Sequence, residues 1–206
     1  MNPKSGEVWL DYAWSYLVPQ QRLDEAVAGS KRMLDIDPLS PDQQYFLGLW
    51  YCHRRQWDRA IAQCLNALEL DPHNLSASLM IGFAYILNGQ PDEAIRYLDT
   101  VDRVVRLVPG FMGFLGYAYA LIGQTEKTRK FLEEMQEPAK EHRCLASTFA
   151  GLYSGVGEID VAFQWLKKAV DECEPLVLQI PSSPFFDPLR SHPHYHALLR
   201  RMNLEP

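Results

Sequence analysis

The chain has 206 residues, of which 47% are hydrophobic, enough for one domain with a sizeable buried core. Its net charge of −6 argues against a nucleic-acid partner, because nucleic-acid affinity comes mainly from cations that neutralise phosphates. The longest uncharged stretch, residues 107–123, contains one proline and four glycines and is short for a membrane span. We therefore expect no membrane-spanning helix and no membrane partner.

The cysteines and the N-terminal residues indicate the compartment. The four cysteines form no CxxC pair and lack the spacing of a zinc site, so we expect buried or partly buried thiols; they are Cys52, Cys64, Cys144 and Cys173. The first thirty residues include Glu7, Asp11 and Asp24 and lack the basic start and unbroken apolar centre of a secretory signal. These features predict a cytoplasmic protein.

From Glu7 onward the sequence is periodic. Two sets of glycines recur at a spacing of 34 residues: Gly48, Gly82 and Gly116, and Gly89, Gly123 and Gly157. For either set, chance would produce the two further glycines in roughly one of two hundred trials. Other residue types repeat in the same register: Tyr51, Tyr85, Tyr119 and Tyr153; Ala26, Ala60, Ala94 and Ala162; Pro38 and Pro72. This period is typical of an array of helical hairpins.

The register divides the chain into five consecutive units without insertions: 7–40, 41–74, 75–108, 109–142 and 143–176. In four of them an Asp-x-Ala sequence places a carboxylate in the first turn of the second helix, where the helix dipole favours it; these carboxylates are Asp24, Asp58, Asp92 and Asp160. The Asp-Pro pairs that end at Pro38 and Pro72 should stop helices. No segment is a convincing strand, so we predict an all-α fold.

The second unit carries the fullest motif. Its sequence Leu47-Gly48-x-x-Tyr51, followed by Ala60 and Pro72, resembles the pattern of tetratricopeptide repeats. The resemblance implies a right-handed superhelical α-solenoid of five helix-turn-helix hairpins over residues 7–176. It assigns structural roles to Gly48, Tyr51, Ala60, Pro72, Gly82, Tyr85, Ala94, Gly116, Tyr119, Tyr153 and Ala162. The chain departs from the pattern at Trp14, Ala150, Thr128, Arg106, Lys140 and Glu174.

Beyond the last unit the period stops. Residues 177–190 predict a proline-rich loop, and residues 191–204 predict a capping helix whose apolar stripe covers the fifth unit. The sequences 186–190 and 198–202 are also similar to the closing segment of tetratricopeptide regions in bacterial multidomain regulators. Those regulators carry a winged-helix, adenylate cyclase or serine/threonine kinase domain. His192, His194 and Asn203 differ from that ending.

No residue pattern in the sequence indicates an enzyme or a cofactor site. The chain has no glycine-rich phosphate loop, no serine nucleophile elbow and no HExxH motif. His192, His194 and His196 alternate, and Asp187 is the neighbouring residue that could complete a ligand set. We interpret the three histidines as an adventitious surface cluster and expect no metal site.

In the tetratricopeptide family the concave face is lined by the second, fifth, ninth and twelfth residues of each unit. Here these positions include Gly151 in unit five and an apolar strip in units two to four, which we expect to bind a partner: Tyr45, Leu49, Cys52, Leu79, Phe83, Ile86 and Tyr117. The Lys and Asn residues of a carboxylate clamp are missing, so an acidic C-terminal tail is not the expected ligand. Alternatively, the strip packs internally, or the proline-rich tail or a second copy of the chain covers it.

Three functions are compatible with these features. The leading hypothesis is a protein-interaction scaffold that binds an apolar peptide or a partner domain through the strip. The second is a structural module that forms a homo-oligomer, for example a homodimer, through the same surface or through the end of unit one with Trp9 and Trp14. The third is the regulatory region of a bacterial kinase, cyclase or transcription regulator.

Overall fold

The computed structural model describes residues 6–105, 109–135 and 146–204. Throughout these ranges the chain is helical and contains no β-strand, so the all-α prediction is confirmed. The α-helices are α1 (Gly6–Tyr12), α2 (Leu23–Ile36), α3 (Pro41–His53), α4 (Trp57–Leu70), α5 (Leu75–Leu87), α6 (Pro91–Val105), α7 (Pro109–Leu121), α8 (Thr125–Glu134), α9 (Ala146–Gly155), α10 (Ile159–Asp171) and α11 (Tyr195–Arg201).

Consecutive helices pair into hairpins that follow the 34-residue frame. We number these hairpins 1 to 5, from α1 with α2 to α9 with α10. In hairpins 2 to 5 a short connection joins the two helices, as is usual for antiparallel neighbours. The predicted stops are present, because α2 ends at Ile36 and α4 ends at Leu70, immediately before the Asp-Pro pairs.

Side-chain caps begin the first helices of hairpins 2 and 3. The Ser40 hydroxyl accepts a hydrogen bond from the Gln43 amide at 3.3 Å. The Asn74 side chain accepts one from the Ala77 amide at 2.9 Å. Both amides lie in the first turn, where the helix itself offers no acceptor, so the caps stabilise the starts of α3 and α5.

The first glycine set permits close contact between helices. A Cβ atom at Gly48 would lie 2.5 Å from the sulfur of Cys64, which is on the other helix of hairpin 2. A Cβ atom at Gly116 would overlap the side chain of Leu152. Because Cβ atoms do not normally approach other heavy atoms this closely, a larger residue at either position would push the contacting helices apart.

The second glycine set occupies a turn with left-handed backbone conformation. Gly89, Gly123 and Gly157 have φ angles of +76°, +80° and +83°, and no neighbouring atom within 4 Å would obstruct a Cβ. The same position of units one and two holds Gln21 and Arg55, whose φ angles are also positive, at 55° and 60°. The turn therefore requires this backbone in every hairpin, and glycine adopts it without steric cost.

Two departures from the repeat pattern have local explanations. Thr128 replaces the expected alanine and is fully buried, and its hydroxyl donates a hydrogen bond to the Gly116 carbonyl at 2.6 Å. Trp14 replaces the expected glycine, and it lies in a π-helical turn, Ala13–Leu17, with its ring centre 6.2 Å from that of Trp50. A π-helical turn is wider than an α-helical turn, so it accommodates the large side chain of Trp14 where the repeat pattern expects glycine.

Glu174 stands where the repeat pattern expects a closing proline. Its carboxylate accepts hydrogen bonds from the amides of Ala146 at 2.5 Å and Ser147 at 3.0 Å, at the start of α9. The side chain is only 6% exposed. The closing residue of unit five thus caps the first helix of the same unit, because a carboxylate satisfies amides at a helix N-terminus.

The chain forms two compact bodies. The first comprises the described residues up to Leu98 together with Leu178–Pro184. At its centre Trp50 is fully buried and donates its indole hydrogen to the Ser30 hydroxyl at 3.0 Å, surrounded by apolar residues of hairpins 1 and 2. Burying this large ring with its polar atom satisfied stabilises the body without a desolvation penalty.

The second body comprises the described residues of the range Asp99–Val177 and those from Phe185 to Leu204. Its interior contains the fully buried side chains of Tyr119, Phe131 and Phe186. The Tyr119 hydroxyl donates a hydrogen bond to Asp99 at 3.1 Å, and the Lys127 ammonium lies 4.0 Å from the centre of its ring. The repeat tyrosine therefore combines apolar packing with a satisfied polar end.

The C-terminal residues differ from the predicted loop and capping helix. Residues 177–190 are not simply a loop, because 3-10 helices cover Pro175–Gln179 and Pro184–Ser191, each with a proline at its first position, where no amide hydrogen is needed. The capping helix predicted for 191–204 begins only at Tyr195. Pro193 explains the delay, since the residue before a proline avoids the α conformation. Arg201 then binds Asp171 of α10 through a salt bridge.

Candidate functional site

Six of the predicted groove residues lie in the first body, on the first helices of hairpins 2 and 3. On both α3 and α5 they are spaced by three or four residues, so each set shares one helix face. We call these six residues the groove strip: Tyr45, Leu49, Cys52, Leu79, Phe83 and Ile86. Leu49, Leu79 and Phe83 are each 6% exposed and Cys52 is 1% exposed, whereas Tyr45 and Ile86 are half-buried.

A segment from the C-terminal part of the chain belongs to the same body. We call Leu178–Pro184 the tail segment. Its Ser182 hydroxyl lies 2.7 Å from Nδ1 of His53, which follows Leu49 by one turn of α3. Every residue from Gln179 to Pro184 is buried, although connecting segments usually run over the surface. The hydrogen bond places this segment beside the face of α3 that carries the groove strip.

The polar atoms of the strip are held in their neutral forms. Burial raises the pKa of the Cys52 thiol to about 12, and it raises the pKa of the Tyr45 phenol above its ordinary value. Cys64 lies against Gly48, and burial likewise raises the pKa of its thiol well above the ordinary value. At neutral pH these side chains carry no charge, so the strip suits an apolar ligand and offers no thiolate.

In the second body, the remaining groove residue belongs to an aromatic pocket. Tyr117 is 3% exposed and meets the ring of Phe185 edge to face, with ring centres 5.3 Å apart. Phe114 also contacts this ring, with ring centres 4.4 Å apart. A Cβ atom at Gly151 would overlap the Phe185 ring, which is itself 1% exposed. We call the space bounded by Phe114, Tyr117 and Gly151 the Phe185 pocket.

Most residues with assigned structural roles lie inside the hairpins. Ala60, Ala94 and Ala162 are fully buried, as close helix contact requires. Among the repeat tyrosines, Tyr51 and Tyr119 are buried, and Tyr85 and Tyr153 are half-buried. Gly48, Gly82 and Gly116 each face a side chain of the partner helix or of a neighbouring hairpin, whereas Pro72 is exposed in the turn after α4.

The three alternating histidines do not converge. The His192 ring stacks on Phe163 with ring centres 3.8 Å apart, and its Nδ1 accepts a hydrogen bond from the His194 amide at 3.3 Å. His192 Nε2 lies 3.5 Å from a carboxylate oxygen of Asp160. His192 and His194 line an open cleft of about 640 Å³ beside α10 and α11, while His196 is exposed. In the ranges 6–105, 109–135 and 146–204, no three His, Cys, Asp or Glu side chains form a metal-binding group.

Exposed apolar side chains concentrate in hairpin 1 rather than on the groove strip. Tyr12 and Tyr16 are 37% and 47% exposed and stack on each other with ring centres 5.3 Å apart. Trp9, which we expected at an exposed end, packs on Gly29 and is half-buried. The prediction of buried or partly buried thiols holds for Cys52 and Cys64 but is wrong for Cys173, which lies in an exposed turn after α10. Cys144 lies outside the described residues.

Comparison with known proteins agrees with the 34-residue repeat frame. A family model of the tetratricopeptide repeat matches residues 53–106, which run from the end of α3 to the end of hairpin 3. Residues 53–106 are thus similar to tetratricopeptide repeats. The crystal structure of a thermophilic tetratricopeptide repeat protein of Thermus thermophilus is similar, with a TM-score of 0.63 and 20% sequence identity. The similarity covers 97% of this chain and 98% of that one.

These comparisons establish the fold. No curated protein matches the sequence significantly. Tetratricopeptide repeats serve in general as non-catalytic scaffolds that bind other proteins. The likeness of the tail to bacterial multidomain regulators stays a prediction. Among the residues that the structure describes, no helix has both the length and the apolar character needed to span a membrane.

Sequence reasoning from the repeats missed the residues that meet the C-terminal part of the chain. His53 and Phe114 are outside the four groove positions of the tetratricopeptide frame, yet they contact Ser182 and Phe185. One signal was present in the sequence: Phe185 and Phe186 form an adjacent aromatic pair between Pro184 and Pro188. Two adjacent phenylalanines in a connector indicate burial, since large apolar side chains are rarely left in water.

Proposed function

We propose that the chain is a protein-interaction scaffold that holds a non-helical, apolar peptide of a partner on the groove strip of α3 and α5. The general part of this proposal comes from the tetratricopeptide fold. The specific part comes from the chemistry of the strip. Its residues are apolar or held neutral, and an apolar surface of this kind recognises a peptide mainly through burial of apolar side chains.

The observation that supports a peptide ligand is the tail segment. It is short and contains two prolines, and all of its residues from Gln179 to Pro184 are buried in the protein. Ser182 provides one directional contact through its hydrogen bond with His53. A helix face that accommodates such a segment of its own chain has the shape and polarity needed for a similar peptide of a partner.

The proposal can be tested by site-specific photo-crosslinking in source-cell lysate. A photoreactive amino acid replaces Ile86, which is half-buried at the twelfth position of unit three. The control protein carries it at Leu70, which is 38% exposed at the end of the second helix of hairpin 2. We expect position 86 to crosslink to a defined partner peptide, identified by mass spectrometry, and position 70 to yield no such product.

A charge substitution provides the matching loss of binding. Ile86→Glu should abolish capture of the identified partner, because a carboxylate would enter an apolar contact, whereas Leu70→Glu should retain it. Circular dichroism must first show that both variants are as helical as the wild type. Equal capture by Ile86→Glu and the wild type, or crosslinks from position 70 alone, would refute binding at the groove strip.

A second candidate function is self-association through hairpin 1. The exposed, stacked pair of Tyr12 and Tyr16 supports it, because adjacent exposed aromatic rings are enriched at interfaces. If this pair mediates association, light scattering will give a dimer mass at high micromolar concentration, and Tyr16→Glu will return the protein to a monomer. A wild-type monomer at that concentration would rule the candidate out.

A further inference from the structure

We propose that the Phe185 pocket is a binding site for a phenylalanine side chain of a partner peptide, and that Phe185 is an internal ligand that fills this site. The inference rests on the proposed scaffold function and names the chemistry of one ligand. The partner peptide places a phenylalanine next to a proline, as Pro184 and Phe185 do in the chain itself. Phe185 and the three residues that bound its pocket all belong to the second body.

Two of the three residues that bound the Phe185 pocket stand at groove positions of the repeat frame. Tyr117 and Gly151 are the ninth residues of units four and five, a position that lines the concave face in this family. Phe114 closes the pocket from one turn earlier on α7, with its ring centre 4.4 Å from that of Phe185. Edge-to-face and offset contacts of this kind select an aromatic ring over an aliphatic side chain.

Gly151 makes the pocket deep enough for the ring. It lies inside α9, where glycine is among the least favourable residues for helix formation. A Cβ atom at this position would overlap the Phe185 ring, and no turn or positive φ angle at this position requires glycine. The missing side chain therefore serves the bound ring rather than the helix.

Phe185 resembles a bound peptide residue in its backbone as well as its side chain. It lies in a 3-10 helix, Pro184–Ser191, outside the five hairpins of the frame. Phe186 contacts Phe185 edge to face, with ring centres 5.1 Å apart, and is equally buried, but it is not one of the residues that bound the pocket. This pairing provides a matched control, since truncating Phe186 removes a buried ring but leaves the pocket filled.

The test measures binding of a labelled probe to the full chain by fluorescence anisotropy. The probe has the sequence Ser-Pro-Phe-Phe-Asp-Pro-Leu, copied from residues 183–189. We expect Phe185→Ala to bind the probe at least tenfold more tightly than the wild type and Phe186→Ala, because only this variant leaves the pocket vacant. A probe with alanine in place of its first phenylalanine should not bind. Adding Gly151→Ala to Phe185→Ala should remove the binding.

Two results would overturn the proposal. One is a folded Phe185→Ala variant that binds the probe no better than Phe186→Ala does. The other is equal binding of the alanine-substituted probe, which would mean general stickiness of loosened protein. Should Phe185→Ala fail to fold, fluorinated phenylalanine at position 185 of the otherwise unchanged chain replaces it. Saturating probe then moves its ¹⁹F resonance to the solvent-exposed value if the proposal is correct, and leaves it unchanged if it is wrong.

The outcome is separable from that of the scaffold function. Failure of the probe to bind removes the Phe185 pocket as a ligand site, but it leaves partner crosslinking at position 86 of the first body unaffected. Conversely, loss of crosslinking at position 86 would refute the groove strip even if the probe bound to the second body.

Discussion

Replacing Glu174 should expose how strongly one buried carboxylate holds the fifth hairpin. Its two oxygens accept hydrogen bonds from the Ala146 and Ser147 amides, and the side chain is 6% exposed. Hydrogen bonds to charged groups contribute about 1.5–3 kcal/mol each, and the two bonds here share one side chain. We therefore expect Glu174→Ala to lower the free energy of unfolding of the second body by about 3 kcal/mol.

Glu174→Gln keeps the shape of the side chain but turns one acceptor into a donor that faces an amide. We expect a loss of about 1–2 kcal/mol from this variant, because one of the two bonds remains. Glu172→Gln is the control, since Glu172 is an exposed neighbour that forms a surface pair with Lys168.

Repeat proteins need not unfold as one unit, so the measurement should be local. Hydrogen exchange at the Ala146 and Ser147 amides, read by NMR alongside urea denaturation, reports the opening of this helix start directly. The exchange rates should rise in the order wild type, Glu174→Gln, Glu174→Ala. If both variants exchange as slowly as the control, the carboxylate does not cap α9 and the reasoning fails.

Three further predictions concern other parts of the chain. Gly48→Ala should lower the free energy of unfolding by about 1–3 kcal/mol through overpacking, and Gly89→Ala should lower it by about 1–2 kcal/mol through backbone strain. Since asparagine tolerates a positive φ angle but is larger than glycine, urea denaturation should show that it is better tolerated at position 89 than at position 48. The Arg201 hydrogen bond holds the pKa of Asp171 below its usual range, so this contact stabilises the fold above pH about 4 and is lost as pH falls through the folded pKa. In Arg201→Gln, NMR titration should show the Asp171 pKa rising toward its ordinary value, while Lys167 still lowers it in part, and no change would contradict the contact. Ellman's reagent at pH 8 should leave the Cys52 thiol unmodified until urea unfolds the protein, and rapid native modification would contradict its burial.

The hairpins could be predicted because the residues that recur in the sequence are those that make the contacts within the repeat array. Gly48 and Ala60 face the partner helix directly, so the need for a small side chain there follows from helix contact alone. The turn at Gly89 requires a positive φ angle, and that requirement also leaves a sequence signal. Such signals recur every 34 residues because the same local geometry recurs, and a single sequence is enough to detect them.

The contacts between the hairpins and the C-terminal part of the chain could not be derived in the same way. Ser182 and His53 are 129 residues apart, and nothing periodic links them. Glu174 is a second contact that the repeat pattern does not predict. The pattern expects a proline at this position, whereas the carboxylate caps a helix 27 residues earlier. Contacts between a repeat array and the chain that follows it depend on shape, which period alone does not encode.

The placement of Phe185 in its own pocket has a consequence for the speed of partner binding. A site that its own chain fills can accept a partner only after that chain has moved away, so the observed association rate should level off at high partner concentration. The plateau would equal the rate of opening, and the apparent affinity would be weaker than the intrinsic affinity by the fraction of molecules that are open. Partners would then compete with the C-terminal part of the chain for the same surface, and any event that holds this segment elsewhere would strengthen every such interaction.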